Sequence, residues 1–231
     1  MVAELFLFGV FPYVAFILAV VVGLYRYFSD HFSYSSFSSQ FFENRQLFWG
    51  SVPWHYGILI ILIGHLLAAL FPGTWALLFG KPVQLAILEV TGLALGFLTL
   101  VGIGFLIFRR VMSPRLRVIT SVMDWILLVD LLLQVASGIY VAFTYRWGSF
   151  WYLYTAVPWL GSMVRLNPQL DFISTLPWMV KFHFFNGFVL ISLFPFTRLI
   201  HIFTVPITYL WRPFEVVIWN RRDRLGVGKR P

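Results

Sequence analysis

Five long, nearly uncharged apolar runs leave this chain one comfortable class of fold. They are Leu5–Leu24, Pro53–Phe71, Gln84–Phe108, Val122–Phe143 and Trp178–Phe203. Each has about the 20 residues that cross a bilayer, with room for tilt. Hydrophobic residues make up 60% of the chain and charged residues 11%, with a mean hydropathy of +0.83. A soluble domain of this length has no interior large enough for that apolar surface. The expectation is an all-α integral membrane protein, a five-transmembrane-helix bundle over residues 1–231, with 204–231 as a cytoplasmic docking tail. The N-terminus has no early Lys or Arg and no cleavage-site pattern, so the first run reads as a retained helix and not as a signal peptide.

Basic residues set the orientation. With five spans, the N-terminus and the loops 72–83 and 144–177 share one side, which holds Lys81, Arg146 and Arg165. The other side holds Arg26, Arg45, Arg109, Arg110, Arg115, Arg117, Arg212, Arg221, Arg222, Arg224, Lys229 and Arg230. That imbalance puts the N-terminus outside and the C-terminus in the cytoplasm, in the inner (cytoplasmic) membrane. The net charge of +8 is thus a topology and docking signal, and no nucleic-acid footprint is expected. Trp147, Trp151, Trp159 and Trp178 read as interfacial belt residues. Pro12 predicts a kink in the first span.

Four of the five histidines, His55, His65, His183 and His201, lie in the apolar runs, and the fifth, His31, reads as a solvated loop residue. Imidazole in hydrocarbon is costly unless paired or liganded. Two helices that each offer imidazoles at two depths can hold two stacked metal centres. A zinc site would gather its ligands at one depth. The chain has no cysteine, which excludes thiolate iron–sulfur ligation and covalent c-type haem. The reading is two stacked b haems with bis-histidine ligation, His55 with His201 for the inner and His65 with His183 for the outer.

Helix geometry leaves a tension. On ideal helices His55 and His65 are about 15 Å apart along the axis, and His183 and His201 about 27 Å apart. His183 and His201 share a face, whereas His55 and His65 diverge by about 80°. A kink at Pro195 is one way to absorb the difference. Gly57, Gly64 and Gly187 lie beside the histidines and suit a bare backbone against a porphyrin face; helix–helix contact is the other reading. Arg110, Arg115 and Arg198 are candidates for haem propionates, with Arg109 and Arg117 in the same basic cluster. Asp130 is deep enough to need a partner. Leu127, Leu131, Gln134 and Gly138 read as a packing stripe.

With these residues in view, the chain resembles the gamma subunit of respiratory nitrate reductase, a dihaem cytochrome b. The resemblance rests on Arg109-Arg110-x-x-Ser113-Pro114-Arg115-x-Arg117, on Phe194-Pro195-Phe196-Thr197-Arg198-Leu199-Ile200-His201, and on Val205-Pro206 with Tyr209-Leu210-Trp211-Arg212-Pro213. Gly64-His65 and Tyr145-Arg146-Trp147-Gly148 also match. It implies five spans, an outside N-terminus and two haems b. It further implies oxidation of a quinol (menaquinol or ubiquinol) at the outer haem, with electrons passed to a cytoplasmic iron–sulfur beta subunit and a molybdenum-containing alpha subunit that reduces nitrate. The family's quinol-site lysine falls at Gln84 here, with Lys81 a turn earlier. The expected quinol site is therefore Gly64, Lys81, Gln84 and Glu89, with Glu89 either a proton exit or a partner of Lys81. The basic tail reads as a docking segment for the iron–sulfur subunit, or as an anchor to anionic membrane lipid. Two other functions fit the same spans: a dihaem subunit of a sulfur-compound or heterodisulfide reductase, and a haem-free transporter or channel with histidines in its pathway.

Overall fold

The computed structural model describes residues 2–29, 45–146 and 148–204. His31, Trp147, the Ser-rich stretch 33–40 and the basic tail beyond Thr204 lie outside the described residues. Among the described residues there are five helices long and apolar enough to span a membrane: Val2–Ser29, Trp49–Leu70, Pro82–Met112, Val122–Thr144 and Trp178–Phe196. We call them spans one to five. The protein is thus an all-helical, multi-pass membrane protein. Short helices Pro72–Phe79, Gly148–Tyr154, Ala156–Val164 and Asp171–Ser174 occupy two of the connections.

Span three is the central stave. It packs along span two on one side and span four on the other; span five follows against span four, and span one against span five. Small residues set the closest approach. A Cβ at Gly102 would meet the Trp54 backbone nitrogen at 2.5 Å, and one at Gly50 would meet Leu106 Cδ2 at 2.9 Å. Gly57 abuts the Thr99 hydroxyl and the Leu95 carbonyl. Gly57 is therefore a helix–helix contact and not a face offered to a planar ligand, which corrects the sequence-based expectation. Without a hydrophobic drive between lipid-bathed helices, such close backbone approach is what makes a pair adhere.

Two prolines bend the helices; the carbonyl that Pro12 frees is Phe8's, and the one that Pro195 frees, Ile191's, accepts from the Phe194 N–H. Pro12 has no N–H, and its ring would clash with the carbonyl four residues earlier. The chain responds with a π-helical turn over Leu5–Val10, in which Phe11 N–H reaches back to the Phe6 carbonyl. The Phe8 carbonyl then accepts from Trp159 Nε1 at 3.2 Å. Trp159 is only 2% exposed and stacks on Phe184 with centroids 6.0 Å apart. It is a core residue tying Ala156–Val164 to spans one and five, not the belt residue its position suggested; Trp178, 69% exposed, suits a belt.

The second break is in span five. Its α-helix stops at Leu193, a 3-10 turn covers Phe194–Phe196, and Thr197 is extended at φ −118 and ψ 178. A second 3-10 segment, Arg198–Thr204, carries His201. His183 and His201 thus do not share one straight helix, and their expected common face does not apply. Arg26 at the end of span one donates to the Pro195 carbonyl at 2.7 Å. Arg198 grips Asp124 through two contacts, Nε–Oδ1 at 2.8 Å and Nη2–Oδ2 at 3.2 Å. Asp124 also closes a capping box with Ser121 at the start of span four.

These contacts predict two contrasts. Gly102→Ala meets rigid backbone and is expected to cost about 1–3 kcal/mol, whereas Gly104→Ala, with nothing within 4 Å of the added carbon, changes stability little. Thermal unfolding of the solubilised protein separates them. Asp124→Ala removes both the cap and the ion pair; because Arg198 is a third exposed, solvent screens part of the pair, and the expected loss is about 2 kcal/mol. Hydrogen exchange of the Thr197–His201 amides should rise in that variant and stay unchanged in Gly104→Ala.

Candidate functional site

The break in span five delivers His201 to His55. Their ring centroids lie 6.2 Å apart with planes at 74°. Spans two and five are otherwise not among the extensively packed pairs, so the imidazoles face each other across a cleft. Two imidazoles on opposite sides of one metal, with bonds of about 2 Å and about 1.1 Å more from nitrogen to centroid, place their centroids about 6.2 Å apart. The rings can turn about the bond axis, which admits the observed angle.

The tautomers agree with that use. A backbone carbonyl can only accept, so a histidine nitrogen bonded to one carries the hydrogen. His55 Nδ1 donates to the Ser51 carbonyl at 2.7 Å, His65 Nδ1 to the Ile61 carbonyl at 2.8 Å and His201 Nδ1 to the Arg198 carbonyl at 2.5 Å. In each ring Nε2 is left with its lone pair. Metal-binding histidines have this arrangement, with the second nitrogen oriented by an outer partner. His55 and His65 are also exposed on their span, and an imidazole displayed at membrane depth needs something to meet it. Among the described residues no cluster of three or more His, Asp or Glu is placed to hold a metal ion; paired imidazoles fit a haem, which brings its other four ligands itself.

His183 has a different setting. Ser137 Oγ lies 2.9 Å from its Nδ1, and Gln134 Nε2 lies 3.4 Å from its Nε2. A Cβ on Gly138 would approach His183 Cε1 to 3.0 Å. Asn186 Nδ2 donates to Gln134 Oε1 at 2.9 Å and to the Asp130 carbonyl at 3.2 Å. Gln134 and Gly138, read from the sequence as packing, therefore frame a histidine. Their helical spacing with Ser137 was the available signal, and it needed span five beside span four to acquire meaning. His65 touches Tyr152, with ring centroids 5.6 Å apart, and the Tyr152 hydroxyl donates to the His65 carbonyl at 3.3 Å. Burial pushes the Tyr152 pKa above the usual phenol range, so the hydroxyl keeps its proton.

The expected quinol residues spread along span three. Glu89 has an enclosed Oε1 with no hydrogen-bond partner, and no ion pair joins it to Lys81 among the described residues, so the expected Lys81–Glu89 pairing is not found. The antiparallel register, in which Gly57 faces Thr99 and Gly50 faces Leu106, places Glu89 within about one turn of the level of His65. Gln84 and Lys81 are exposed and begin the helix about 8 and 12 Å beyond Glu89. Gly64 is bordered by Trp75 at 3.9 Å. Of the arginines, Arg110 is half-buried and Arg115 exposed, while Arg198 is engaged by Asp124. Asp130 is 8% exposed with Oδ2 unpartnered, so the partner that its depth demands is not supplied to that atom.

Residues 4–220 match the family described as nitrate reductase gamma subunit. The chain belongs to that family. It is 32% identical to the nitrate reductase gamma chain of Bacillus subtilis (strain 168) over 220 residues, which cover 94% of this chain and 98% of that one. It is 30% identical to the respiratory nitrate reductase 1 gamma chain of Escherichia coli (strain K12), covering 93% of this chain and 96% of the relative. It also matches the nitrate reductase-like protein NarX of Mycobacterium tuberculosis (strain ATCC 25618 / H37Rv) at 32% identity, over 97% of this chain and 35% of that longer protein. Family membership makes the chain a membrane electron-transfer subunit of a nitrate reductase complex. In this chain the space between His55 and His201 is where sequence, tautomers and ring spacing converge. Because Gly138 borders His183, Gly138→Val should displace that ring while leaving the His55–His201 level intact, a difference that nitrogen-15 resonances of singly labelled histidines read directly.

Proposed function

We propose that the chain is the dihaem quinol-oxidising subunit of its complex, with His55 and His201 holding one haem b and His65 and His183 the other. The 6.2 Å separation of the His55 and His201 rings, with both Nδ1 atoms committed to carbonyls, is the observation that carries this reading. When bound, each haem would supply one-electron redox chemistry between paired imidazoles. Arg110 and Arg115 are the basic residues at the His201 end available to pair with propionates, and Arg198 contributes whatever donors Asp124 leaves it.

The chain's own residues divide the remaining work. Gly64 and Trp75 border a place for a quinol ring beside His65, and Tyr152 closes it from the interfacial helix. Lys81 and Gln84 form the mouth. Glu89, with an oxygen enclosed and uncompensated, accepts a hydroxyl proton from the quinol and passes it outward. Oxidation of one quinol yields two protons on the outer side and two electrons that travel inward. The outward N-terminus and inward C-terminus proposed from the arginine asymmetry give this transfer its direction. Each electron carried against the potential costs about 2.3 kcal/mol per 100 mV, which the redox gap must exceed. The iron–sulfur and molybdenum-containing subunits receive the electrons on the cytoplasmic side, and the basic tail is their docking segment.

A reduced-minus-oxidised spectrum of the membrane-embedded complex should contain b-type bands from two haems per chain. These should be reduced by a quinol analogue and re-oxidised by nitrate. His55→Ala and His201→Ala should each remove the same haem, and His65→Ala and His183→Ala the other. A colourless complex would sink the reading. Glu89→Gln should slow quinol oxidation by at least tenfold with the haem bands unchanged; an unaltered rate would remove Glu89 from the proton path.

A further inference from the structure

His183 is oriented differently from the other three intramembrane histidines, and the difference has a consequence. His55, His65 and His201 each donate Nδ1–H to a carbonyl of their own helical segment. Those acceptors are main chain and no substitution removes them. The shortest Nδ1 contact of His183 is to a side chain on another span, Ser137 Oγ, at 2.9 Å and 46 residues away, with the Gln134 main chain also bearing on the ring. The direction of that bond is fixed. Ser137 spends its own hydroxyl hydrogen on the Gln134 carbonyl at 3.0 Å, so its oxygen is left to accept, and His183 Nδ1 must carry the hydrogen. Ser137 is 5% exposed, so no water competes for it.

The rest of the neighbourhood holds this arrangement. Asn186 uses both amide hydrogens, one on the Asp130 carbonyl and one on Gln134 Oε1. That fixes the Gln134 amide with its NH₂ toward His183 Nε2. Gly138 leaves room for the Cε1 edge of the ring. His183 Nε2, whose protein contact is the weak 3.4 Å one with Gln134, is the nitrogen that would hold a metal, and the Ser137 bond at Nδ1 would remain available.

We propose that Ser137 is the positioning and tuning residue of the His183 haem: its hydroxyl oxygen fixes the ring and raises the basicity of the ligating nitrogen, so one haem potential is set by a single replaceable side chain. This rests on the dihaem reading above. A hydrogen bond accepted from Nδ1–H strengthens an imidazole as a donor to the metal. Stronger donation favours ferric over ferrous iron, so losing the bond raises the potential. The other haem, whose ligands lean on carbonyls, is indifferent to Ser137.

The test is a potentiometric titration of the two haems in the intact membrane complex carrying Ser137→Ala or Ser137→Thr. Ser137→Ala should raise the midpoint of one haem, changing its reduction equilibrium several-fold and up to about tenfold, where tenfold is about 59 mV for one electron. The second midpoint should hold, and the low-spin electron paramagnetic resonance signal of the shifted haem alone should move. Ser137→Thr, which keeps the oxygen, should restore the wild-type midpoint and signal. If Ser137→Ala loses one haem and Ser137→Thr retains both, the hydroxyl is required for holding as well as tuning, and the proposal stands. Unchanged midpoints in Ser137→Ala, or loss of the haem from both variants, overturn it. A wild-type complex without two haems fails the dihaem reading itself, an outcome visible before any variant is made.

Discussion

An imidazole in hydrocarbon must have both nitrogens answered, and this constraint organises the bundle. Each of the four intramembrane histidines has one nitrogen committed to a protein acceptor. The commitment selects the tautomer, and the tautomer decides which nitrogen remains basic. Around this, span two keeps His55 and His65 exposed while its glycines pack on span three, and span five brings His201 back to His55. Packing and chemistry therefore share the same helix, with Gly50, Trp54 and Gly57 at the seam and His55 and His65 left exposed.

Both helix breaks obey the rule that no backbone carbonyl goes unanswered in lipid. Pro12 and Pro195 each remove a rung of the helical ladder. Trp159 collects the Phe8 oxygen that Pro12 frees; the Phe194 N–H takes the Ile191 oxygen that Pro195 frees, and Arg26 answers the carbonyl of Pro195 itself, beside the break at Thr197. Each solution ties two spans or a cap together, so the defect in one helix becomes a fastening between elements. The Arg198–Asp124 pair extends the second fastening to span four.

The five spans were legible because length and apolarity are local properties, and the histidines were legible because polar groups in such runs are conspicuous. Whatever depended on which face meets which neighbour was not. Gly57 looked like a place for a ring and proved to be a helix contact. Trp159 looked interfacial and is buried, because the connection between spans four and five folds inward over span one. Arg198 had the chemistry for a propionate, but only the tertiary fold put Asp124, 74 residues earlier, within reach. The frame around His183 stayed hidden because serine, glutamine and glycine are unremarkable in a transmembrane helix until the histidine of another span arrives beside them. The helix is interrupted between His183 and His201, as Pro195 suggested.

That interruption separates the two ends of span five mechanically. His55 and His65 ride on one continuous rod, but His183 and His201 belong to segments of different pitch joined through an extended residue. No continuous helical hydrogen-bond ladder runs from the Ser137 level to the far ring, because it is interrupted at Thr197. The two ends of span five are thereby separate units of backbone, and a substitution that reshapes one meets no rigid lever leading to the other.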